Sequence, residues 1–280
     1  MTDTPVVPDR QPARPPEDGA GSAELREGID YAGRQIRGSR ELQEDCYGVV
    51  PREEFDGAES DLFVVVADGM GGYAAGEVAS GLAVETFAQS FLQWDAGCDA
   101  ARLWYCLEEA NRRIQSEIAS RGEAVKGMGT TLLAVLKRAG TLRWISVGDS
   151  PLYLLRGGRL LRINELHSHA AELAQKVDRG EISAEQAATD PGRHTLNSAL
   201  IGETIYQVDD SPPIPLQSGD VVLAASDGIH TLDDAEIEAL TARGSQGGNA
   251  GAIAETIIEA VVEKNKQPQD NTTLVVIRIT

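Results

Sequence analysis

Short runs of β-branched and other apolar residues, bounded by Gly, Asp or Asn, recur along the chain and set its expected elements. Asp61-Leu-Phe-Val-Val-Val-Ala67 is apolar at consecutive positions and predicts a buried strand. Val78, Leu82, Phe87 and Phe91 fall near helical spacing and predict a helix over Ala74–Trp94. Leu103, Leu107, Ala110, Ile114 and Ile118 predict a second helix over Ala100–Ser120, with that stripe facing the core. A β-rich middle follows, with short strands at Thr130–Val135, Leu142–Val147, Leu152–Leu155 and Leu160–Ile163. Arg156-Gly-Gly-Arg159 reads as the hairpin turn between the last two. From 164 to 203 the strand pattern is lost, with helices expected near Ala170–Arg179 and Ala184–Ala188. About 40 residues inserted between strands predict a lid or recognition flap. Strands return at Thr204–Val208 and Asp220–Ala225, helices at Asp233–Thr241 and Ala252–Lys264, and a final strand at Asn271–Ile279. Runs of strands with two inserted helix pairs predict α+β layers, not alternating βαβ units. No internal repeat is visible.

The opening segment differs from the rest. Residues 1–27 contain five of the chain's 12 prolines, mixed with Gly, Glu, Asp and Arg. Such a composition buries too little apolar surface to offset ordering entropy, so a disordered tail is expected, with one globular domain over 28–280. Across all 280 residues the apolar fraction of 41% is enough for a core of that size. The formal net charge of -19 argues against nucleic acid and anionic membrane surfaces as partners. Cys46, Cys98 and Cys106 are odd in number and lack a Cys-x-x-Cys spacing, so free thiols and a cytoplasmic location are expected. No apolar run approaches the length of a membrane span, and no secretion signal is visible at the start.

Four acidic clusters carry the candidate chemistry: Glu44-Asp45, Asp68-Gly-Met-Gly-Gly72, Ser226-Asp-Gly228 and Asp270-Asn271. A carboxylate at a strand edge beside Gly or Asn presents oxygen ligands to hard cations such as Mg²⁺ or Mn²⁺. Zinc-type His and Cys spacing is missing. Each cluster taken alone is also compatible with an ordinary turn or helix cap. Taken together, Asp68, Asp227 and Asp270 fit a dinuclear site, in which two cations about 3.5–4 Å apart activate water and neutralise a phosphoryl group. A guanidinium near such a site would clamp phosphate. Arg40 and Arg37 both satisfy the spacing to Asp45, which does not choose between them.

Arg40-Glu-Leu-Gln-Glu-Asp45, Asp68-Gly-Met-Gly-Gly72, Gly129-Thr-Thr131, Val147-Gly-Asp-Ser150, Ser226-Asp-Gly228 and Asp270-Asn271 stand in the order seen in metal-dependent protein phosphatases of the 2C type. From about residue 30 onward the chain resembles a compact bacterial member of that family. The resemblance implies an αββα sandwich: two antiparallel sheets flanked by helix pairs, with the metal site at the sheet edge. It implies that Asp68 bridges two Mn²⁺ or Mg²⁺ ions and that the Gly69 carbonyl ligates one of them. Asp227 and Asp270 would hold the other, Glu44 and Asp45 would act largely through water, and Arg40 would bind the substrate phosphate. The implied reaction is hydrolysis of phosphoserine and phosphothreonine in proteins by a metal-activated water, with Ser226 and Cys46 given no role.

Three departures qualify the match. Met70 stands where many eukaryotic relatives carry a histidine proposed as general acid. Asp149 matches a family residue linked to a third metal, but Thr231 stands where its carboxylate partner would be. Asn164-Glu-Leu-His-Ser-His169 occupies the flap where relatives often have Asp-His-Ser, making His167, His169 and His194 candidates for substrate contact or for plain packing. His230 is expected near the cleft but not as a ligand. The expected partners are phosphorylated proteins, substrates of a cognate bacterial Ser/Thr kinase, and the expected state is a monomer. A phosphoprotein-binding pseudophosphatase is the competing reading, opposed by retention of Asp68, Asp227 and Asp270. A metal-dependent nuclease is opposed by the net charge.

Overall fold

The computed structural model describes residues 29–51, 61–71, 75–94, 97–246 and 248–279. The expected tail over 1–27 and Gly72 lie outside the described residues. Two antiparallel sheets are stacked on one another. The first runs β1 (Ile29–Ile36), β12 (Thr272–Ile279), β11 (Val221–Ala225), β7 (Leu152–Arg156), β8 (Arg159–Arg162). The second runs β10 (Ile214–Pro215), β6 (Thr141–Val147), β5 (Leu132–Arg138), β3 (Leu62–Met70), β2 (Asp45–Pro51), with β4 (Gly129–Thr130) on β3 and β9 (Asp209–Asp210) on β6.

The alternation of side chains along each strand divides the apolar residues among three layers. Val64 and Val66 of β3, Val135 of β5, Val222 and Ala224 of β11, and Val275 and Ile277 of β12 fill the space between the sheets. Phe63, Val65 and Ala67, on the other face of β3, pack under α1 (Ala75–Gln93) and α2 (Asp99–Arg121). Leu223, Leu274 and Val276 pack under α5 (Asp234–Ser245) and α6 (Ala250–Glu263). The expected αββα sandwich is therefore the observed architecture, and it explains why β3 reads as an unbroken apolar run: both its faces are covered.

Helix α1 approaches its sheet closely because its buried stripe is built from small residues, Ala75, Gly76, Ala79, Ser80 and Ala83, before widening to Phe87 and Phe91. Phe63 stacks on Phe91, ring centroids 4.0 Å apart, which anchors the far end of the helix. The first turn of α1 is thereby fixed beside the end of β3, where the acidic clusters meet. Helices α3 (His169–Asp178) and α4 (Ala184–Thr189) form within the flap, the latter held by a capping box between Ser183 and Gln186.

Two expectations change. Thr204–Val208 is not a strand; within this stretch Asp209–Asp210 and Ile214–Pro215 pair with β6, while the preceding residues run beside α2. Conversely, β1 and β2 are strands that the apolar pattern does not announce. Both are edge strands, so each needs an apolar character on fewer positions than a central one.

Candidate metal centre

Strand register does the first assembly step. Asp45, at the start of β2, is paired directly with Asp68, near the end of β3. Paired residues on neighbouring strands share a face with Cβ atoms about 5 Å apart, so two carboxylates are forced together at the open end between the sheets. The opposing sheet reaches across to them. Ser226 Oγ and Thr273 Oγ1 donate to Asp45 Oδ2 at 2.7 and 2.8 Å. Asp45 is only 4% exposed, and its other oxygen, Oδ1, is buried without a hydrogen-bond partner. A buried carboxylate oxygen left without a donor costs a few kcal/mol unless something electropositive meets it.

The remaining acids surround the same space. Asp227 opens a 3-10 turn, Asp227–Thr231, directly after β11, and its carboxyl lies within hydrogen-bonding reach of that of Asp68. Asp149 follows β6 and feels the charge of Asp227. Asp270 precedes β12, and its Oδ2 accepts from Arg40 Nη2 at 2.7 Å. Glu44 lies at the N-terminus of α1, where Gly76 N–H meets its carboxylate. Asn271 ties the pieces together. Its Oδ1 accepts from Glu44 N at 2.8 Å, and its Nδ2 donates to the carbonyls of Arg37 and Leu42 at 2.8 and 3.0 Å. The loop carrying Arg40 and Glu44 is thus clamped to the start of β12.

Crowding shifts these groups in one direction. Desolvation, partly offset by the Ser226 and Thr273 hydrogen bonds and reinforced by Asp227 and Asp270, pushes Asp45 up to about 7. Burial, followed by repulsion from Asp45, Asp227, Asp149 and Asp270, holds Asp68 well above the ordinary carboxylate range. Burial together with Asp227 raises Asp149 to about 7. Asp227 is raised by burial and by Asp270, and Glu44 mainly by burial. Such a concentration of like charge around an orphaned oxygen fits hard cations bound through oxygen. Among the described residues no three of these side chains already close into a metal cage. Arg40 occupies one oxygen of Asp270.

Several residues that hold the site have no chemical signal in the sequence. Asp68 N donates to Thr131 Oγ1 at 3.0 Å, while Thr131 N and Thr130 Oγ1 both donate to Asp68 O at 2.9 Å. Ser150 Oγ lies 2.8 Å from Thr131 Oγ1, extending the network. Gln35 Nε2 bridges Asp45 O and Thr273 Oγ1, both at 2.9 Å. Gly129-Thr-Thr131 and Val147-Gly-Asp-Ser150 of the family-like pattern carry part of this layer, whereas Gln35 belongs to no motif.

Glycine is required where β3 meets α1. A Cβ on Gly69 would lie 2.1 Å from Gly76 O and 2.5 Å from Glu44 O, both backbone atoms. Gly69→Ala is expected to displace the start of α1 and cost about 2–4 kcal/mol of stability, along with most activity. Urea unfolding read beside turnover checks this; a variant with unaltered midpoint and rate would show that the close approach is dispensable.

The other candidates are placed as follows. Thr231 Oγ1 donates to Gln269 Oε1 at 2.8 Å and so fastens the 3-10 turn to the β12 approach. His167 is buried; its Nδ1 accepts from Gly148 N at 3.2 Å, which makes it a packing residue at the flap base. His169 lies between Glu172 and Asp190 inside the flap, 3.2 and 3.5 Å from their carboxylates. His194 is exposed. His230 is exposed, its Nε2 3.3 Å from the Tyr153 hydroxyl. Cys46 faces the α1 side and not the acids, and burial pushes its thiol up to about 11.

The profile of the family described as Protein phosphatase 2C matches residues 33–250. The serine/threonine phosphatase stp of Listeria innocua is 34% identical over 203 residues, covering 71% of this chain and 77% of its own. The crystal structure of the Mycobacterium tuberculosis serine/threonine phosphatase PstP/Ppp superposes with a TM-score of 0.73 at 30% identity, covering 90% of this chain and 98% of that one. The catalytic domain of the serine/threonine protein phosphatase PstP in complex with two manganese ions gives a TM-score of 0.71 at 30% identity, over 89% of this chain and 97% of that one.

Proposed function

The chain belongs to the protein phosphatase 2C family, and from that premise we propose how its acidic cleft is used. The protein is a metal-dependent protein serine/threonine phosphatase; cations bound in the cleft would supply the activation of water and the neutralisation of phosphoryl charge. In our reading Asp68, the Gly69 carbonyl, Asp227 and Asp270 would hold two Mn²⁺ or Mg²⁺ ions, with Asp68 as the ligand common to both. Glu44 and Asp45 orient water around them. The observation that carries this reading is the register pairing of Asp45 with Asp68, which leaves a buried Asp45 oxygen without a donor amid acidic neighbours. Asp149 is the candidate for a third cation. Because the Thr231 hydroxyl is engaged with Gln269, such an ion would rely on Asp149 and Asp227 with more water.

Arg40 receives the substrate phosphate. It sits on Asp270 with half of its side chain exposed, so its guanidinium faces solvent at the mouth of the cleft. Leu42, 40% exposed, lies on the same clamped loop. Met70 offers no proton, so the leaving serine or threonine oxygen takes its proton from water. Residues 164–203 act as a flap over a domain spanning 28–280. The substrates are phosphoproteins of a cognate bacterial Ser/Thr kinase, met in the cytoplasm by a monomeric enzyme. Among the described residues no helix is long and apolar enough to cross a membrane.

Phosphate release from a phosphothreonine peptide in EDTA, Mg²⁺ and Mn²⁺ tests this reading. Release is expected only with a divalent cation. Arg40→Ala is expected to raise KM about 10–100-fold with a smaller fall in kcat, the loss of a charge-assisted contact to phosphate. Binding of the peptide without release under every metal would instead favour a phosphoprotein-binding module.

A further inference from the structure

A second concavity lies away from the acids. Residues 202–208 run beside α2 and enclose a groove of about 790 Å³. On the helix side Trp104, Glu108, Asn111 and Gln115 recur at helical spacing and form its floor. On the other side Glu203 and Tyr206 form its wall. The wall is built, not loose: Asn111 Oδ1 accepts from Gly202 N at 2.9 Å and its Nδ2 donates to Glu203 O at 2.7 Å. Trp104 Nε1 donates to Asp210 Oδ2 at 2.8 Å, which fixes the indole while its ring stays 38% exposed. Tyr206 is 76% exposed. Arg112 is engaged by Glu109, so Glu108 and Glu203 set the sign of the groove. Two aromatic faces beside two carboxylates form a surface that suits a basic, proline-rich strand. Proline rings stack on aromatic faces, and an extended polyproline helix loses little entropy on docking. Arginines contribute ion pairs and cation–π contacts.

The chain's own sequence contains a segment of that composition. Pro8-Asp-Arg-Gln-Pro-Ala-Arg-Pro-Pro16 has Pro12 and Pro15 three residues apart, the repeat that would share one edge of a polyproline helix, with Arg10 and Arg14 close in sequence. Twelve residues lie between Pro16 and Ile29, thirteen chain steps with a reach of up to about 45 Å, against a radius of gyration of about 18 Å for a globule of this length. Ile29 pairs with Ile279, whose carbonyl accepts from Gly219 N, and Gly219 terminates the same connector that begins with the groove wall. We propose that the groove between α2 and residues 202–208 is a docking site for the chain's own Arg- and Pro-rich segment, residues 8–16. At the other end of the wall, Leu200 pairs with Thr130 through bonds of 2.9 and 3.0 Å, and Thr130 Oγ1 donates to Asp68 O. The docked segment thus braces a strip that ends on the backbone of the metal loop.

The test uses the full chain labelled with ¹⁵N, reading the Trp104 indole and the amides of 202–208. A linker of this length gives an effective concentration on the order of 1 mM, so a segment that binds in trans at about 100 µM is mostly docked in cis. Arg10→Glu with Arg14→Glu should shift these signals, and a free peptide of residues 7–17 should restore them. Trp104→Ala and Glu203→Lys should each weaken that peptide's affinity at least about tenfold. Signals indifferent to the Arg10/Arg14 change would overturn the proposal, as would a peptide affinity untouched by Trp104→Ala. So would a dependence of the shifts on protein concentration, which would assign the groove to the tail of a second copy. Recovery of the signals by a phosphopeptide substrate, but not by residues 7–17, would assign it to substrate.

Discussion

Asp68→Asn is expected to lower kcat by at least about 10³-fold and yet to raise the melting temperature of the metal-free protein. Asp68 is packed against Asp45 and feels the repulsion of Asp227, Asp149 and Asp270, so in the absence of cations its charge opposes folding. An isosteric amide keeps the shape and removes that charge. Replacing a buried, poorly compensated ion by a neutral group stabilises by about 1–4 kcal/mol, several degrees for a domain of this size. The gain should grow as pH rises, because burial and neighbours favour the neutral acid at low pH. Added Mn²⁺ should reverse the ranking: a ligand at a hundred times its Kd contributes about 2.7 kcal/mol to the wild type, and little to a variant that lacks the proposed shared ligand. Scanning calorimetry of both proteins in EDTA and in Mn²⁺, with turnover alongside, decides it. Equal metal-free melting temperatures with full activity in the variant would remove Asp68 from the centre of the site.

The same electrostatics explain what was legible in the sequence. The central strands β3, β11 and β12 announce themselves because both faces are buried, which leaves an unbroken run of Val, Leu, Ile and Ala. Edge strands β1 (Ile-Asp-Tyr-Ala-Gly-Arg-Gln-Ile) and β2 (Asp-Cys-Tyr-Gly-Val-Val-Pro) break their apolar residues with polar ones, Gly or Pro, and do not. Asp68, Asp227 and Asp270 stand out because each adjoins such a run beside Gly or Asn. Their meeting does not follow from spacing; it depends on a register between strands and on hydroxyls of Ser226 and Thr273 crossing from the other sheet. Ser226 had no assigned role as a nucleophile, and its geometry agrees: it positions Asp45. Thr204–Val208 carries an alternating pattern typical of a strand, but Asn111 captures the backbone at Gly202 and Glu203 and holds this stretch against α2. A tertiary hydrogen bond there overrides local propensity.

Metal-free stability should fall, not rise, as pH increases from about 4 to 7. Asp45 and Asp149 have folded-state values raised to about 7, against about 3.9 for an unfolded aspartate. Between those values the folded protein keeps protons that the unfolded chain has released, so the unfolded state binds fewer and the slope of stability against pH is negative. The contribution is fully present below the unfolded value and is lost by the time pH passes 7. Cations invert the dependence. If the proposed carboxylates are the ligands they must be ionised to bind, so proton and metal compete, and affinity strengthens across the window in which metal-free stability declines. The melting temperatures with Mn²⁺ and with EDTA should therefore nearly coincide at pH 5 and separate by roughly 10 °C or more at pH 8. Exposed pairs such as Lys264 with Glu236 contribute in the opposite direction, but in solvent they are too weak to hide the trend. A melting temperature in EDTA that climbs between pH 5 and 8 would show that these carboxyls are not desolvated together, and the cleft would then lack the strain that a pair of cations relieves.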